Sequence, residues 1–379
     1  MVFFNKKNVY IVVQPSWEVK ELKIRGVLLI SFLLSVSIFM VGCLQGEQTF
    51  EEIDVPEESI IQESEENGES EEDVNIDAGE VEDVIETEET VLRELYLIDA
   101  EGFVVPQMIE LPKTESAALT TLQYMVKDGP VTEMLPNGFQ AVLPAQTDIL
   151  GMNLSDDGTL VIDVSDQFTN YEAKDEVKIL EAMTHTMTQF ENIERIKLWI
   201  NGEEQLEMPV NGTPISSGYS TDKGINVFVD GKPNIHTSKS LTVYYPKQYH
   251  EQFYHVPVTQ YFEEDDDRIF EAVIQSVMKG PSFGVQAAQV FNDGTELLES
   301  PVLNEGVLQL VFNDAVLKDE DKAMISDEVM ETLVKSLTAL EEVEAVDVKV
   351  KDKSVIVSES GTTYDRPVTL SDIKAQEKM

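Results

Sequence analysis

The sequence predicts an α+β fold made twice: two tandem two-layer α/β sandwich domains behind an N-terminal leader. Three observations predict it. Matching segments recur at an offset near 150 residues, each copy carries an amphipathic helical stripe, and short strands of period two flank Gly-containing turns.

The elements follow in order. Each copy opens with a strand pair: Leu95–Ile98 with Val104–Leu111 around Gly102, and Leu241–Pro246 with His255–Tyr261 across a longer connection. A first helix is expected from near Thr114, or from Asp265–Asp267, where side-chain oxygens can cap free backbone amides. It stops at Asp128-Gly129-Pro130 or Lys279-Gly280-Pro281, since Gly tolerates a left-handed end and Pro cannot continue a helix. The turn Ser155-Asp156-Asp157-Gly158 recurs as Leu303-Asn304-Glu305-Gly306, and each opens a strand, Leu160–Val164 or Leu308–Phe312. The second helix shows Ile179, Met183, Met187 and Phe190, echoed by Val329, Leu333, Leu337 and Leu340 at i, i+4, i+8, i+11 spacing. Alternating strands, Ile196–Ile200 and Val346–Val350, close the copies.

The layout is therefore a leader over 1–42, an acidic tether over 43–90, domain one over 91–202, a linker over 203–224, domain two over 225–357 and a flexible tail over 358–379. The linker is rich in Gly, Ser, Thr and Pro, and Ile225–Val229 is expected to add a short strand to either sheet. From Ser358 onward apolar content is low and fraying is expected.

Cys43 is the one cysteine of the chain, so no internal disulfide or cysteine-based zinc site can form. It ends the apolar run Gly26–Val41, and Met40-Val41-Gly42-Cys43 reads as a bacterial lipobox behind the basic Lys20, Lys23 and Arg25. That run is short of the roughly 20 residues that span a bilayer. Cys43 is the expected lipidation site, and the outer face of the cytoplasmic membrane the expected location. Between Leu44 and Thr90, 20 of 47 residues are Asp or Glu with no Lys or Arg, a composition that cannot bury a core. The net charge of −45 excludes a nucleic-acid partner held by phosphate contacts.

A search for chemistry returns no catalytic, metal or cofactor site. His250 and His255 frame a His-Glu-like motif, but at i, i+5 on a helix the rings lie about 140° apart. His185 falls off the Met183–Met187 stripe and reads as a surface or boundary residue, and His236 sits in a connector with no partner visible. The run Glu263–Asp267 lacks an EF-hand's alternating ligands and reads as a solvated helix entry. Asp163, Asp166 and Asp314 could suggest acid–base work, but the last two recur at strand ends, where side chains bond local backbone. Tyr244, Tyr245, Tyr249 and Tyr254 are candidate recognition aromatics. Alternation places Trp199 opposite Leu198, which makes Trp199 the candidate exposed partner contact.

These residues together resemble the sporulation and germination lipoproteins that carry tandem GerMN domains, the GerM family. The resemblance rests on the lipobox, the acidic tether, and the helix–Gly–Pro, Gly-hairpin and strand-end patterns of both copies. It implies a fold akin to ring-building-motif domains, found in secretion and sporulation assemblies. It also implies a non-enzymatic part in the complex between mother cell and forespore, in cortex formation and in germination. The expected partners are envelope or sporulation proteins and the membrane through the lipid, in a homo-oligomer or ring if the family pattern extends so far. Two other readings stand beside it. An exported ligand- or cell-wall-binding lipoprotein would require an apolar pocket between the domains, and a peptidoglycan hydrolase would require converging carboxylates or a metal.

Overall fold

The computed structural model describes residues 89–229, 238–250, 252–263, 268–281, 284 and 286–376. Cys43, most of the tether, His236 and the acidic Glu264–Asp267 lie outside them. In the first module, β1 (Thr90–Ile98) and β2 (Val104–Pro112) form an antiparallel hairpin. Helix α1 (Ala117–Gln123), β3 (Ile149–Leu154), β4 (Thr159–Val164), α2 (Glu176–Met187) and β5 (Arg195–Ile200) follow. Two short strands, β6 (Glu203–Glu204) and β7 (Tyr219–Ser220), then fold back onto β5.

The second module repeats the plan. Its hairpin is β8 (Ser238–Tyr249) and β9 (Gln252–Glu263), followed by α3 (Ile269–Lys279), β10 (Val302–Asn304) and β11 (Val307–Phe312). Next come β12 (Leu317–Asp319), β13 (Met324–Ile325), α4 (Asp327–Leu337) and β14 (Ala345–Val350). The chain closes with β15 (Ile356–Val357), β16 (Thr363–Tyr364), β17 (Val368–Thr369) and α5 (Leu370–Gln376).

In both modules an antiparallel pair (β3–β4, β10–β11) leads through a helix into a parallel strand (β5, β14). Turn chemistry fixes that crossover. Gly158 and Gly306 hold φ of +76° and +80°, and a Cβ there would come within 2.9 Å of the Glu194 or Glu344 side chain. The Gly158 carbonyl accepts the amides of Glu194 (2.8 Å) and Arg195 (3.2 Å), and the Gly306 carbonyl accepts those of Glu344 and Ala345 at the same distances. One glycine thus makes the hairpin turn and seats the start of the parallel strand.

All eight side chains of the two helical stripes are at most 2% exposed. Each contributes about 1.5–3 kcal/mol by leaving water. The helices stop earlier than the stripe implied: Phe190 and Leu340 sit in the turn beyond, with amides on the Met187 and Leu337 carbonyls. Besides the sheet, α2 contacts β1 and β2, and α4 contacts β8, so each module's hairpin lies against its own long helix. Small hydroxyls make this second contact. Thr186 Oγ1 accepts the Tyr96 amide and Ser336 Oγ the Tyr244 amide, both at 3.0 Å, satisfying strand donors that the hairpin leaves free.

Four boundaries differ from expectation. Helix α1 starts at Ala117 rather than Thr114 and ends at Gln123, because Lys127 turns to donate its amide to Leu143; Asp128, at φ +58°, takes the left-handed position that Gly280 takes after α3. The second hairpin runs on through Pro246 to a turn at His250, so the longer connection is instead a longer ladder. The segment 203–224 is not a free linker: it supplies β6 and β7 to the first sheet and buries Met208, Ile215 and Tyr219. Nor does the tail fray over 358–376. There β17 pairs with β14, and Val368 and Ile373 are buried.

The last two corrections share one cause. Tyr219–Ser220 pairs with Arg195–Ile196 as Val368–Thr369 pairs with Ala345–Val346, so the duplication extends through the apparent linker and tail. A carboxylate at the start of each long helix holds the returning loop. Glu176 accepts the amides of Val210, Asn211 and Thr213 and the hydroxyls of Thr213 and Tyr171, while Asp327 accepts the Glu359 amide.

Candidate functional site

The expected site residues separate. Trp199 does lie opposite Leu198, which is buried, but it is half-buried rather than exposed, because β6 folds back and sets Glu204 beside it. Its indole Nε1 is enclosed, with no hydrogen-bond acceptor among the described residues. Asp163 accepts the Gly202 amide (2.9 Å) and Asp166 accepts the Asn201 side-chain amide (2.5 Å). The local backbone bonds expected of Asp166 and Asp314 are not among those the described residues make, and the preceding residues bond backbone 17 positions away instead. Ser165 Oγ accepts the Asp148 amide, and Asn313 Oδ1 accepts the Glu296 amide. His250 stands at the hairpin turn against Tyr249, and His255 is buried with Nε2 3.0 Å from Thr332 Oγ1, so the two do not converge. Burial, reinforced by Lys335, holds the His255 imidazole well below its ordinary value.

Two clefts of about 410 and 220 Å³ lie beside Gly129-Pro130 and Gly280-Pro281, and each is lined by residues of a single module. Among the described residues no group of acidic and histidine side chains is arranged to hold a metal. Nor is any described helix long and apolar enough to cross a membrane.

A buried polar arrangement that the sequence does not announce lies at the junction between the modules. Asp99, 2% exposed, follows β1 directly and turns its carboxylate inward. Oδ1 accepts the amides of Glu101 and Phe103 at 2.9 Å, an Asx-type turn. Oδ2 accepts Lys247 Nζ at 2.7 Å and Tyr254 Oη at 3.0 Å, both from the second hairpin. Lys247, 3% exposed, also meets Glu101 at 2.9 Å and stands over the rings of Phe103 and Tyr254. Tyr254 packs edge-on to Phe139, and Tyr249 lies on Gly138, where φ is +85° and a Cβ would come within 2.6 Å of the ring.

These contacts all come from the last three rungs of the second hairpin, Lys247 to Tyr254. The two hydroxyl anchors put Tyr96 in register with Tyr244; β1 ends two residues later, β8 five. The tyrosines considered as recognition aromatics are therefore packed within the molecule, where Tyr249 and Tyr254 recognise the other module.

A strap of chain, 224–229, completes the junction. Asn226 donates its side-chain amide to the carbonyls of Val104 on β2 and Pro257 on β9, each at 2.7 Å, and accepts the Val104 amide at 2.9 Å. Ile225 and Phe228 bond to Thr259 through backbone groups, so the expected strand is replaced by a docked extended segment. Under the strap lie two side chains of α2, buried Glu181 and half-buried His185, whose Nε2 is enclosed. Glu181 accepts the Asn226 amide, and burial pushes its carboxyl up to about 7 against that bond and the charge of Lys178. His185 stacks on Tyr96, and burial pushes it down to about 4 against the Gly224 backbone and the charge of Glu94.

Comparison with known proteins settles the lineage of this arrangement. The family model described as "Germane: Sporulation and spore germination" matches twice, over residues 94–206 and 242–356. This chain belongs to the Germane family. It is 38% identical over 344 residues to the spore germination protein GerM of Bacillus subtilis (strain 168), covering 89% of this chain and 94% of that protein. It also resembles the solved tandem GerMN domains of the sporulation protein GerM from Bacillus subtilis, with a TM-score of 0.67 and 42% identity over 74% of this chain and 97% of that one. The two Germane repeats are the two modules, and the fold is a tandem of GerMN domains.

Proposed function

We propose that the protein is a lipid-anchored, non-enzymatic scaffold of the spore-forming cell, holding partner proteins in a sporulation complex between mother cell and forespore. In this reading Cys43 carries the lipid, the acidic tether spaces the folded part from the membrane, and the same complex serves cortex formation and later germination. The observation that carries the scaffold reading is the buried junction. A ligand or substrate held between two domains uses a cleft there that opens, whereas here that space is filled by an ion pair, aromatic contacts and a docked strap. Two binding modules held at fixed spacing raise the effective concentration of one partner for the other. The relatives named for sporulation and spore germination supply the biological setting. Half-buried Trp199, on the face of β5 opposite Leu198, is the partner contact we assign.

The test is crosslinking and recovery from sporulating cells of the native protein and of Cys43→Ser. Native protein should stay in washed membranes and bring down envelope proteins, and the variant should lose both. A variant retained in membranes would reject the lipid anchor. Recovery of wall fragments without protein partners would carry the wall-binding reading instead.

A further inference from the structure

Two titratable side chains one turn apart on α2, buried Glu181 and half-buried His185 with its Nε2 enclosed, serve no role described so far. Glu181 is 3% exposed, and His185 faces the same strap beside it. Two glutamates on this one helix show how differently buried carboxyls can be supported. Glu176 accepts five donors, with the Asn211 amide at 2.6 Å. Burial pulls Glu176 upward, but its bonds from Thr213, Asn211 and Tyr171 outweigh that and hold it below the ordinary range. Glu181 accepts one amide, Asn226, at 3.2 Å, so burial is met by one donor instead of five.

The one counter-charge acting on Glu181 is that of Lys178, and it does not offset burial. On its own helix, Lys178 Nζ lies 3.8 Å from Asp175 and beside Gly102, and Glu181 has no ion pair among the described residues. From β7 it faces Tyr219, which is uncharged, and Asp222 and Lys223 in the following turn are exposed. On β1, Glu94 acts on His185 and Tyr96 stacks on it, while Arg93 stands over Phe190. The charged groups of the other elements on α2 are engaged elsewhere or exposed: Lys174 with Glu172, Arg195 with Glu194, Lys197 with Glu204, and Glu110 at the surface.

We propose that Glu181 and His185 are a compensating acid–base pair: both are neutral while the strap is docked and both become charged when it lifts. Docking then moves one proton onto the carboxyl and one off the imidazole, so no net proton is exchanged. The ordinary values of 4.5 and 6.5 apply once the strap lifts, and about 7 and 4 while it is docked. A raised carboxyl alone would loosen the strap as pH rises, and a depressed imidazole alone would tighten it. Across about pH 4.5 to 6.5 the two slopes cancel, and the grip on both modules stays level. This holds whatever the modules bind.

Hydrogen exchange of the strap-linked amides of Asn226, Phe228 and Thr259, in the full chain and corrected for intrinsic rates, tests the pair. Native protein should show protection that is flat over that window. Glu181→Gln should show protection rising about tenfold per pH unit, and His185→Gln protection falling about tenfold per unit. A sloping native profile, or single variants without opposed slopes, would overturn the proposal. Should a variant not fold, side-chain NMR titration of the native protein decides the matter. Glu181 titrating near 7 and His185 near 4 support the pair; either one at its ordinary value rejects it.

Discussion

At the residue scale, the junction depends on charges removed from water, and such groups act by what their loss strands. Asp99→Ala leaves Lys247 buried with only Glu101 beside it, and should cost about 3–5 kcal/mol in urea denaturation. Adding Lys247→Met should recover most of that loss, since an apolar side chain of similar length suits the contact with Phe103 and Tyr254. A double variant as unstable as the single one would show that the buried charge is not the source. None of this was legible in the chain. Lys247 sits in a strand where a lysine reads as solvent-facing, and Asp99 sits before a turn, where an aspartate reads as a routine cap. Burial of a charge depends on a partner about 150 residues away, and no local pattern records it.

At the element scale, the helices, turns and parallel strands were readable because each encodes its partner locally. The Ile179 and Val329 stripes and the turns at Gly158 and Gly306 are such cases. The closing strands were not, because Met208, Ile215 and Tyr219 are lone apolar anchors without a period, set among turn residues. Their carboxylate clamps should respond to pH with opposite sign. Hydrogen bonds hold Glu176 below its ordinary value despite burial, so its contribution is full above about pH 4.5 and is lost as pH falls through the lowered value. Burial raises Asp327 against its single Glu359 amide, so its ionisation costs stability as pH climbs past the ordinary value. At pH 7, Glu176→Gln should therefore destabilise by about 1–3 kcal/mol, with Asp327→Asn neutral or stabilising. Equal losses in thermal melts would contradict the assignment.

At the scale of the whole molecule, the repeat is longer than its recognisable core, and each copy needs the chain that follows it. Removing 358–379 should uncover the β14 edge and cost the burial of Val368 and Ile373, about 3 kcal/mol or more, lowering the melting temperature. Unchanged melting would mean that this segment adds nothing to the second module. The duplication itself was plain in the sequence, but the asymmetry that joins the copies was not, for three added rungs in one hairpin look like a ragged alignment. Those rungs make the copies non-interchangeable. The leading copy offers a socket and the trailing copy a plug, so a gene with the halves transposed would place the plug where nothing stands to receive it, and two leading halves fused in series would hang as independent beads.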